Sequence, residues 1–464
     1  MNSTVSSISN IHNTIIAQCT PQGSGAIALL RLSGTHALII ADAISKLPGN
    51  KKISPQPTHT IHYGWVVDAN GNHIDQVLFF LMHAPHTFTG DDTVEITCHN
   101  NQFIIQNIIQ AAITSGARMA QEGEFSRRAV ENNKIDIIQA EAINDLIHAN
   151  TQLALKQSLS QLEGSFSQWI TTIEKQLIKA LALSEASFEF LDEENMEFNM
   201  QIKEIIDTVL VTSNTLINTF NQQQQIRQGI RIAIIGSVNA GKSSLFNMLL
   251  KQNRAIVTNI AGTTRDAIEA GLYKNDNYWT LIDTAGLRTT NDIIEQMGIT
   301  RSYDEAQKSD IILLVFDGSR TLTGAEIAVY QEILTKYNNK IIIINNKSDL
   351  PLHDNPLLPN RKIISASNTN NCSTLIESAI QEKIATLFQS IASPFLLNQR
   401  HYNALLSLES ALKSILPMVT ATNPSYELIS YHLNDALTTL SELTGKTISE
   451  AGMDAVFREF CVGK

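Results

Sequence analysis

The densest chemistry in the chain lies near its middle. Gly236-Ser237-Val238-Asn239-Ala240-Gly241-Lys242-Ser243 follows the apolar run IRIAII and precedes SLFNMLL. A glycine-rich loop between a strand and a helix lets successive backbone N–H groups enclose a phosphate, and the helix N-terminus adds its positive dipole. In such a loop Lys242 reaches the β- and γ-phosphates of a nucleotide, and Ser243, with Ser244 beside it, opens the helix and binds Mg²⁺. Asp283-Thr284-Ala285-Gly286 ends the run YWTLI. Asp283 is placed to hold the metal directly or through water. Gly286 can offer its N–H to the γ-phosphate, a contact that exists only with the triphosphate and so makes a switch. Asn346-Lys347-Ser348-Asp349 follows KIIIIN, and Ser365-Ala366 follows KII. A buried carboxylate at Asp349 accepts hydrogen bonds from guanine N1–H and N2–H₂. Adenine would leave it unpaired, and sites built on such bonds discriminate by ~10⁴ or more. Ser365 and Ala366 close the base pocket. The four segments, in this order, predict GTP rather than ATP.

Between the phosphate loop and Asp283 stands Gly262-Thr263-Thr264-Arg265-Asp266, where one threonine ligates Mg²⁺ once a γ-phosphate is present. The hydrolytic apparatus departs from that of Ras-type GTPases, in which a glutamine near Asp-x-x-Gly orients the attacking water. Here Leu287 follows Gly286 and cannot do so; Asp292 and Glu295 in the next turn are the candidates. Asn239 has two readings: its amide oxygen coordinates a monovalent cation beside the phosphates, or it stabilises the loop.

These groups need elements to hold them. Residues 229 to about 385 alternate apolar runs (IRIAIIG, YWTLIDT, DIILLVFD, KIIIINN, KIISAS) with helical patterns, the βαβ signature of a parallel sheet. Residues 1 to about 125 carry short β-like runs (IIAQCT, AIALLRL, HTIHYGWVVD, QVLFFLMHA, VEITCH) separated by turns, which predicts a small α+β domain. Between Glu124 and Gln228 there is one glycine, Gly164, and no proline, so long helices can form. A core stripe that includes Ile143, Leu146, Phe166, Ile170, Ile173 and Leu177 recurs there every three or four residues. Gln222 to Gln225 reads as a polar linker. Leu397 to Phe460 reads as helical, interrupted by Pro417 and Pro424. Whether this tail packs with the earlier helices is open from the pattern alone.

Composition bounds the partners. The 464 residues carry 34 Lys and Arg against 45 Asp and Glu, a net charge of −11, with 43 % hydrophobic residues. Three domains fit this length. Disorder and a wholly basic nucleic-acid coat are excluded, while a local basic patch is not. Four cysteines without metal-ligand spacing (Cys19, Cys98, Cys372, Cys461) do not make a disulfide framework. No apolar run approaches the ~18 residues a bilayer span needs, and the N-terminus lacks a signal peptide's basic and apolar regions. The expectation is a cytoplasmic protein with no membrane partner.

The motifs bring a family into view. GSVNAGKSSLFN, IAGTTRD, DTAGLR and NKSD, together with TPQGSGAIALLRLSG, FTGDDTVEITCH, GEFSRRAVENNKIDIIQAEAINDLI and the terminal FCVGK, resemble the MnmE (TrmE) tRNA-modification GTPases along the whole chain. The resemblance implies a multidomain α/β and α protein: an α+β tetrahydrofolate-binding and dimerisation domain at 1–125, a discontinuous helical domain at 126–225 plus 388–464, and an inserted Ras-like P-loop G domain at 226–387. It implies a K⁺-activated, homodimeric GTPase that joins an FAD-dependent MnmG-type partner in a heterotetramer. Together they modify C5 of the wobble uridine (position 34) of certain tRNAs to aminomethyl or carboxymethylaminomethyl forms. The one-carbon donor would be 5-formyl- or 5,10-methylene-tetrahydrofolate.

Position by position, the resemblance places Thr258, Asn259, Ile260, Ala261, Gly262, Thr263 and Thr264 around the nucleotide. Asn239, Thr258, Ile260 and Thr263 would surround K⁺, Ser243 and Thr264 would hold Mg²⁺, and Glu295 falls on the water-orienting glutamate. Arg31, Glu95, Lys134 and Lys464 match folate-contacting positions; as side chains alone, Glu95 and Lys134 read as surface ion pairs. Cys461 is a catalytic candidate near the folate or an inert thiol; as a prenylation box, Cys-Val-Gly-Lys has a non-aliphatic Gly463 and an unusual final Lys464. The chain departs from the family at Ser24 (commonly Arg), at Asn100-Asn101 (commonly Gly-Gly) and at Glu122 (commonly Pro). The G-domain motifs alone also suit a ribosome-assembly GTPase that acts as an RNA-binding switch. That alternative predicts a basic appendage, which the sequence lacks.

Overall fold

The computed structural model of the chain describes residues 13–187, 193–251, 268–274, 277–283, 303–351, 353, 357, 363–367, 371–389, 393–421 and 424–464. It divides into two compact units, one of Met1–Asn144, Gln161–Ile206 and Ser410–Lys464, the other of Asp145–Ser160 and Asp207–Glu409.

The first unit opens with β1 (Ile15–Gln18), β2 (Ile27–Ser33), β3 (Ser45–Lys46), β4 (Thr60–Val67), β5 (His73–Met82), β6 (Thr93–His99) and β7 (Arg118–Met119). They form one sheet in the order β3-β4-β5-β6-β2-β1-β7. All pairs are antiparallel except β1 with β7. Each β-like run read from the sequence here becomes a strand. In β5 the period of two is plain: Asp75, Val77, Phe79 and Leu81 are buried and their neighbours are not. Helices α1 (Ala37–Ile44) and α2 (Gln102–Thr114) contribute Ile40, Ile44, Ile105 and Ile108 to the core against that face.

The proline-free stretch folds as α3 (Glu124–Glu131), α4 (Ile137–His148), α5 (Gln152–Leu162), α6 (Ser165–Ala186) and α7 (Glu193–Gln228). The polar run expected to be a linker is instead the end of α7. Gln223 is fully buried: its amide donates to Thr219 Oγ1 at 2.8 Å and accepts the Leu397 N–H at 2.7 Å. A glutamine that satisfies both ends of its amide is a good helix residue, and Gly229, at φ 84°, then ends the run.

The second unit carries β8 (Ile230–Gly236), β9 (Ile268–Lys274), β10 (Asn277–Asp283), β11 (Ile311–Asp317), β12 (Ile341–Asn346) and β13 (Ile363–Ser365), in the order β13-β12-β11-β8-β10-β9. All neighbours run parallel except the edge pair β10–β9. Strand β11 is buried at every position, as a strand covered on both faces must be. Ile232, Ile234, Leu313 and Val315 point to the face covered by α8 (Lys242–Lys251) and a later helix, α10 (Asn371–Gln389). Ala233, Ile235, Ile312, Leu314 and Phe316 point to the face covered by α9 (Gly324–Lys336).

The chain ends in α11 (Gln399–Val419), α12 (Tyr426–Thr444) and α13 (Glu450–Phe457). Pro417 does not interrupt as expected: it lies inside α11. Only two residues of the helix follow it, and Thr420 N–H still reaches Leu416 O, so the missing donor costs little of the ladder. Helix α12 packs along α6, with Leu433, Ala436 and Leu440 buried on one side and Phe166, Ile170 and Leu177 on the other. Ser184 Oγ and Ser430 Oγ meet at 2.9 Å, and Lys446 pairs with Glu174 at 2.7 Å. The tail therefore does pack with the middle helices.

Candidate functional site

The phosphate loop leaves the C-terminal end of β8, between β10 and β11, where an open α/β sheet presents its crevice. Two glycines are forced by close approach. A Cβ on Gly236 would stand 2.4 Å from Val315 O, and one on Gly241, at φ 94°, would stand 2.0 Å from Asn346 Nδ2. Asn239 takes φ 62°, a conformation asparagine tolerates better than most residues, and is exposed at the loop's crest.

Asn346 ties the two nucleotide segments together. Its Nδ2 donates to Ala240 O at 2.8 Å, so the base motif clamps the phosphate loop. Lys242 is 7 % exposed, and its Nζ donates to Gly236 O and Ser237 O, both at 2.7 Å. Burial pushes its pKa down, and the nearby Asp283 opposes that shift. Ser243 Oγ donates to Asp283 Oδ2 at 2.9 Å. A hydroxyl and a carboxylate at hydrogen-bond distance are the hard oxygen donors that Mg²⁺ takes, so the residues present fit that ion.

Lys347, at φ 60°, places Nζ 2.6 Å from Asp317 Oδ2. Burial alone would raise the Asp317 pKa, but hydrogen bonds from Lys347 and Ser319 outweigh it and hold the carboxyl below its ordinary value. Ala366 is buried; its O accepts from Ser348 N–H at 2.9 Å and its N–H donates to Asn345 O at 2.8 Å, which fixes the base loop against the turn after β13. Asp349 is exposed rather than buried. It sits on a turn at the end of β12.

The first unit carries a second cluster. Arg31 on β2 and Glu95 on β6 are register partners, with Nε 2.8 Å from Oε1. The guanidinium carbon lies 5.7 Å from the Phe88 ring centroid and 5.4 Å from that of Phe125, within cation–π range. The last residues of the chain are threaded in beside them. Glu122 and Val462 form a β-bridge, and Phe125 N–H donates to Lys464 O at 3.1 Å. At Gly463, φ 95°, a Cβ would stand 2.3 Å from Gln18 O. Burial lowers the Lys464 pKa, against an upward pull from Cys461 and Cys19 and a further downward push from Arg31. Cys19 is pushed up, first by burial. Arg31, Glu95 and Lys464 are thus gathered with Cys19. Lys134 is exposed and donates to Pro85 O rather than making an ion pair. Cys461 is exposed.

Two family models cover most of the chain: "GTP-binding protein TrmE N-terminus" over residues 14–134 and "MnmE helical domain" over residues 137–461. A Parabacteroides distasonis protein named tRNA modification GTPase MnmE is 37 % identical, over 97 % of this chain and 100 % of that one. Relatives of the same name are 37 % identical in Geobacillus thermodenitrificans and 34 % in Flavobacterium johnsoniae, each over 97 % of this chain and 99 % of its own. The chain belongs to the MnmE (TrmE) family of tRNA modification GTPases.

Against the MnmE pattern, the departures have local roles. Asn101 caps α2 by accepting from Phe103 N–H at 2.9 Å, and Asn100 Nδ2 donates to Gly23 O at 2.8 Å, tying down the loop that carries Ser24. Glu122 supplies the bridge to Val462. Thr258, Asn259, Ile260, Ala261, Gly262, Thr263, Thr264, Thr284, Ala285, Gly286 and Glu295 lie outside the described residues. Sequence reasoning missed Cys19, Phe88 and Phe125 beside Arg31, and Asp317 beside Lys347. Phe88 and Phe125 stand in the quoted segments FTGDD and GEF, but nothing in a sequence shows a ring meeting a guanidinium from another strand. Among the described residues no group of three or more His, Cys, Asp or Glu is placed to hold a metal, and no helix is long and apolar enough to cross a membrane.

Proposed function

We propose that this protein hydrolyses GTP in the service of tRNA modification. The observation that carries the reading is the clamp from Asn346 onto Ala240, in a chain whose relatives over nearly its whole length are tRNA modification GTPases. It joins base recognition to phosphate binding. Lys242 exchanges its two loop carbonyls for phosphate oxygens, and the negative charge of the nucleotide offsets the burial that lowers its pKa. Ser243 with Asp283, and Thr264 from its own segment, hold Mg²⁺, which when bound neutralises charge on the phosphates. Asn239, with Thr258, Ile260 and Thr263, holds K⁺, and Glu295 orients the water that Leu287 cannot.

In the finer reading the protein is a cytoplasmic homodimer that works with an FAD-dependent MnmG-type partner at C5 of the wobble uridine. The N-terminal domain (1–125) binds the tetrahydrofolate donor through Arg31, Glu95 and Lys464, with Lys134 at the rim and Cys461 nearby. Arg31 and Glu95 offer an ion pair backed by aromatic rings, a set that suits a flat, hydrogen-bonding, anionic ligand. A helical domain (126–225 plus 388–464) is interrupted in sequence by the inserted G domain (226–387).

The test is GTP and ATP hydrolysis by the purified chain in KCl and in NaCl. GTP is turned over in preference to ATP, and faster in K⁺ than in Na⁺. Equal rates in the two salts contradict the K⁺ assignment, and equal use of ATP contradicts the base pocket.

A further inference from the structure

The stretch that follows β11 reaches back to the phosphate loop. Arg320 lies three residues past Asp317, and its Nη2 donates to Ser237 Oγ at 3.1 Å. The same guanidinium grips Glu326 with both ends, Nη1 to Oε2 at 2.9 Å and Nη2 to Oε1. Glu326 is itself fixed, because it closes a capping box with Thr323 at the start of α9. From the same helix comes Tyr330, which is 3 % exposed; its hydroxyl accepts the Ser237 N–H at 2.5 Å and lies 3.5 Å from Val315 O. The second residue of the phosphate loop is thus held through its side chain by Arg320, in the turn after β11, and through its backbone by Tyr330 of α9.

We propose that Arg320 is a positioning residue for the nucleotide site: with Tyr330 it pins Ser237 and so holds the phosphate loop in its binding shape before nucleotide arrives. The inference rests on the reading of this loop as a guanine-nucleotide site. Its logic is preorganisation. The groups that meet phosphate are Lys242 and the N–H groups further along the loop. Ser237 uses none of these for its clasp, so the clasp and the nucleotide do not compete. A loop already ordered has less conformational freedom to lose on binding. Arginine is needed because one planar fork serves Glu326 and Ser237 together, which a lysine ammonium cannot do in the same geometry. The carboxylate of Glu326 is lowered to about 2, first by its hydrogen bond from Arg320. It is ionised throughout the neutral range, and the clasp is present there.

The experiment is GDP binding by calorimetry to the full chain and to Arg320→Ala, Ser237→Ala, the double variant and Arg320→Lys, with melting temperatures as the check on folding. Loss of one partly exposed hydrogen bond, about 1 kcal/mol, corresponds to about fivefold in affinity. Arg320→Ala and Ser237→Ala should each weaken GDP by about that factor, and the double variant should be no weaker than either single one. Arg320→Lys should resemble Arg320→Ala. At saturating GTP, kcat of Arg320→Ala should stay within about twofold of wild type, because a loop once filled is ordered by its ligand. Unchanged GDP affinity in Arg320→Ala, losses that multiply in the double variant, or full rescue by lysine overturn the proposal. A wild-type chain that binds no guanine nucleotide overturns the underlying reading, and this proposal with it.

Discussion

At Gly236 a single added carbon decides whether the phosphate loop can form. The loop passes so close to β11 that a Cβ would stand 2.4 Å from Val315 O, and both are backbone-borne in the centre of a sheet. Gly236→Ala should therefore displace the loop, costing about 1–3 kcal/mol of stability and most of the nucleotide affinity. Thermal denaturation with and without GDP checks this; a GDP-dependent rise in melting temperature equal to the wild type's would contradict it. Asp349 raises a different issue. It is exposed, so the proposed discrimination needs the edge of a bound base to exclude water from its carboxylate. Asp349→Asn should weaken GTP and favour xanthosine nucleotides, whose C2 carbonyl accepts where guanine donates; competition binding reads the change, and an unaltered preference contradicts the pocket. At this scale the nucleotide motifs were legible because each is a short run with its own chemistry. Arg320, Asp317 and Tyr330 were not, since their relation to Ser237 and Lys347 exists only once β11, β12 and α9 are side by side.

The elements were legible where one period dominates. Runs such as IILLVFD and IIIINN are apolar stretches rich in β-branched residues, and they became β11 and β12. Strand β9 was missed: IEAGLYK has a glycine at its centre, and Gly271 is required there because the Tyr278 ring of β10 lies across it. The end of α7 was missed for the opposite reason, since a run of glutamines looks like solvent-exposed chain until Gln223 finds Thr219 and Leu397. Helix α3 carries the clearest pH effect. Glu124 is 8 % exposed between Arg118 at 2.5 Å and the buried Arg128 at 2.9 Å. Burial raises its pKa, but the bonds from Arg118 and Gln121 outweigh that and leave it below its ordinary 4.5. A carboxyl whose folded pKa is lowered stabilises the fold fully above its unfolded value, and that stability is lost as pH falls through the folded one. Acid unfolding monitored by circular dichroism should show this loss below about pH 4.5 in the wild type. Glu124→Gln should cost about 3 kcal/mol at pH 7, by leaving the buried Arg128 with only the more distant Asp91 carboxylate at 3.7 Å and Asn13 O as partners, and should flatten the acid limb. A variant as stable as wild type at pH 7 would contradict the pairing.

For the whole molecule, the length argued for three domains; the structure divides into two compact units, and each joins stretches far apart in sequence. Helix α6 from the middle of the chain and α12 from its end share one core, and the last five residues close on β1 and α3 at the other end of the sequence. Contacts between such distant stretches leave no local signal. The net charge of −11 argues against a broad basic surface, and the proposed nucleotide and folate sites are accordingly local, at the phosphate loop and the Arg31 cluster. The central claim joins the phosphate loop to tRNA modification. Mass spectrometry of tRNA nucleosides tests it most directly, in cells lacking the gene and carrying either the wild-type copy or Lys242→Ala. Aminomethyl-type modified wobble uridines should vanish on deletion, return with the wild-type copy and stay absent with Lys242→Ala; unchanged modified uridines in the deletion strain would contradict the account.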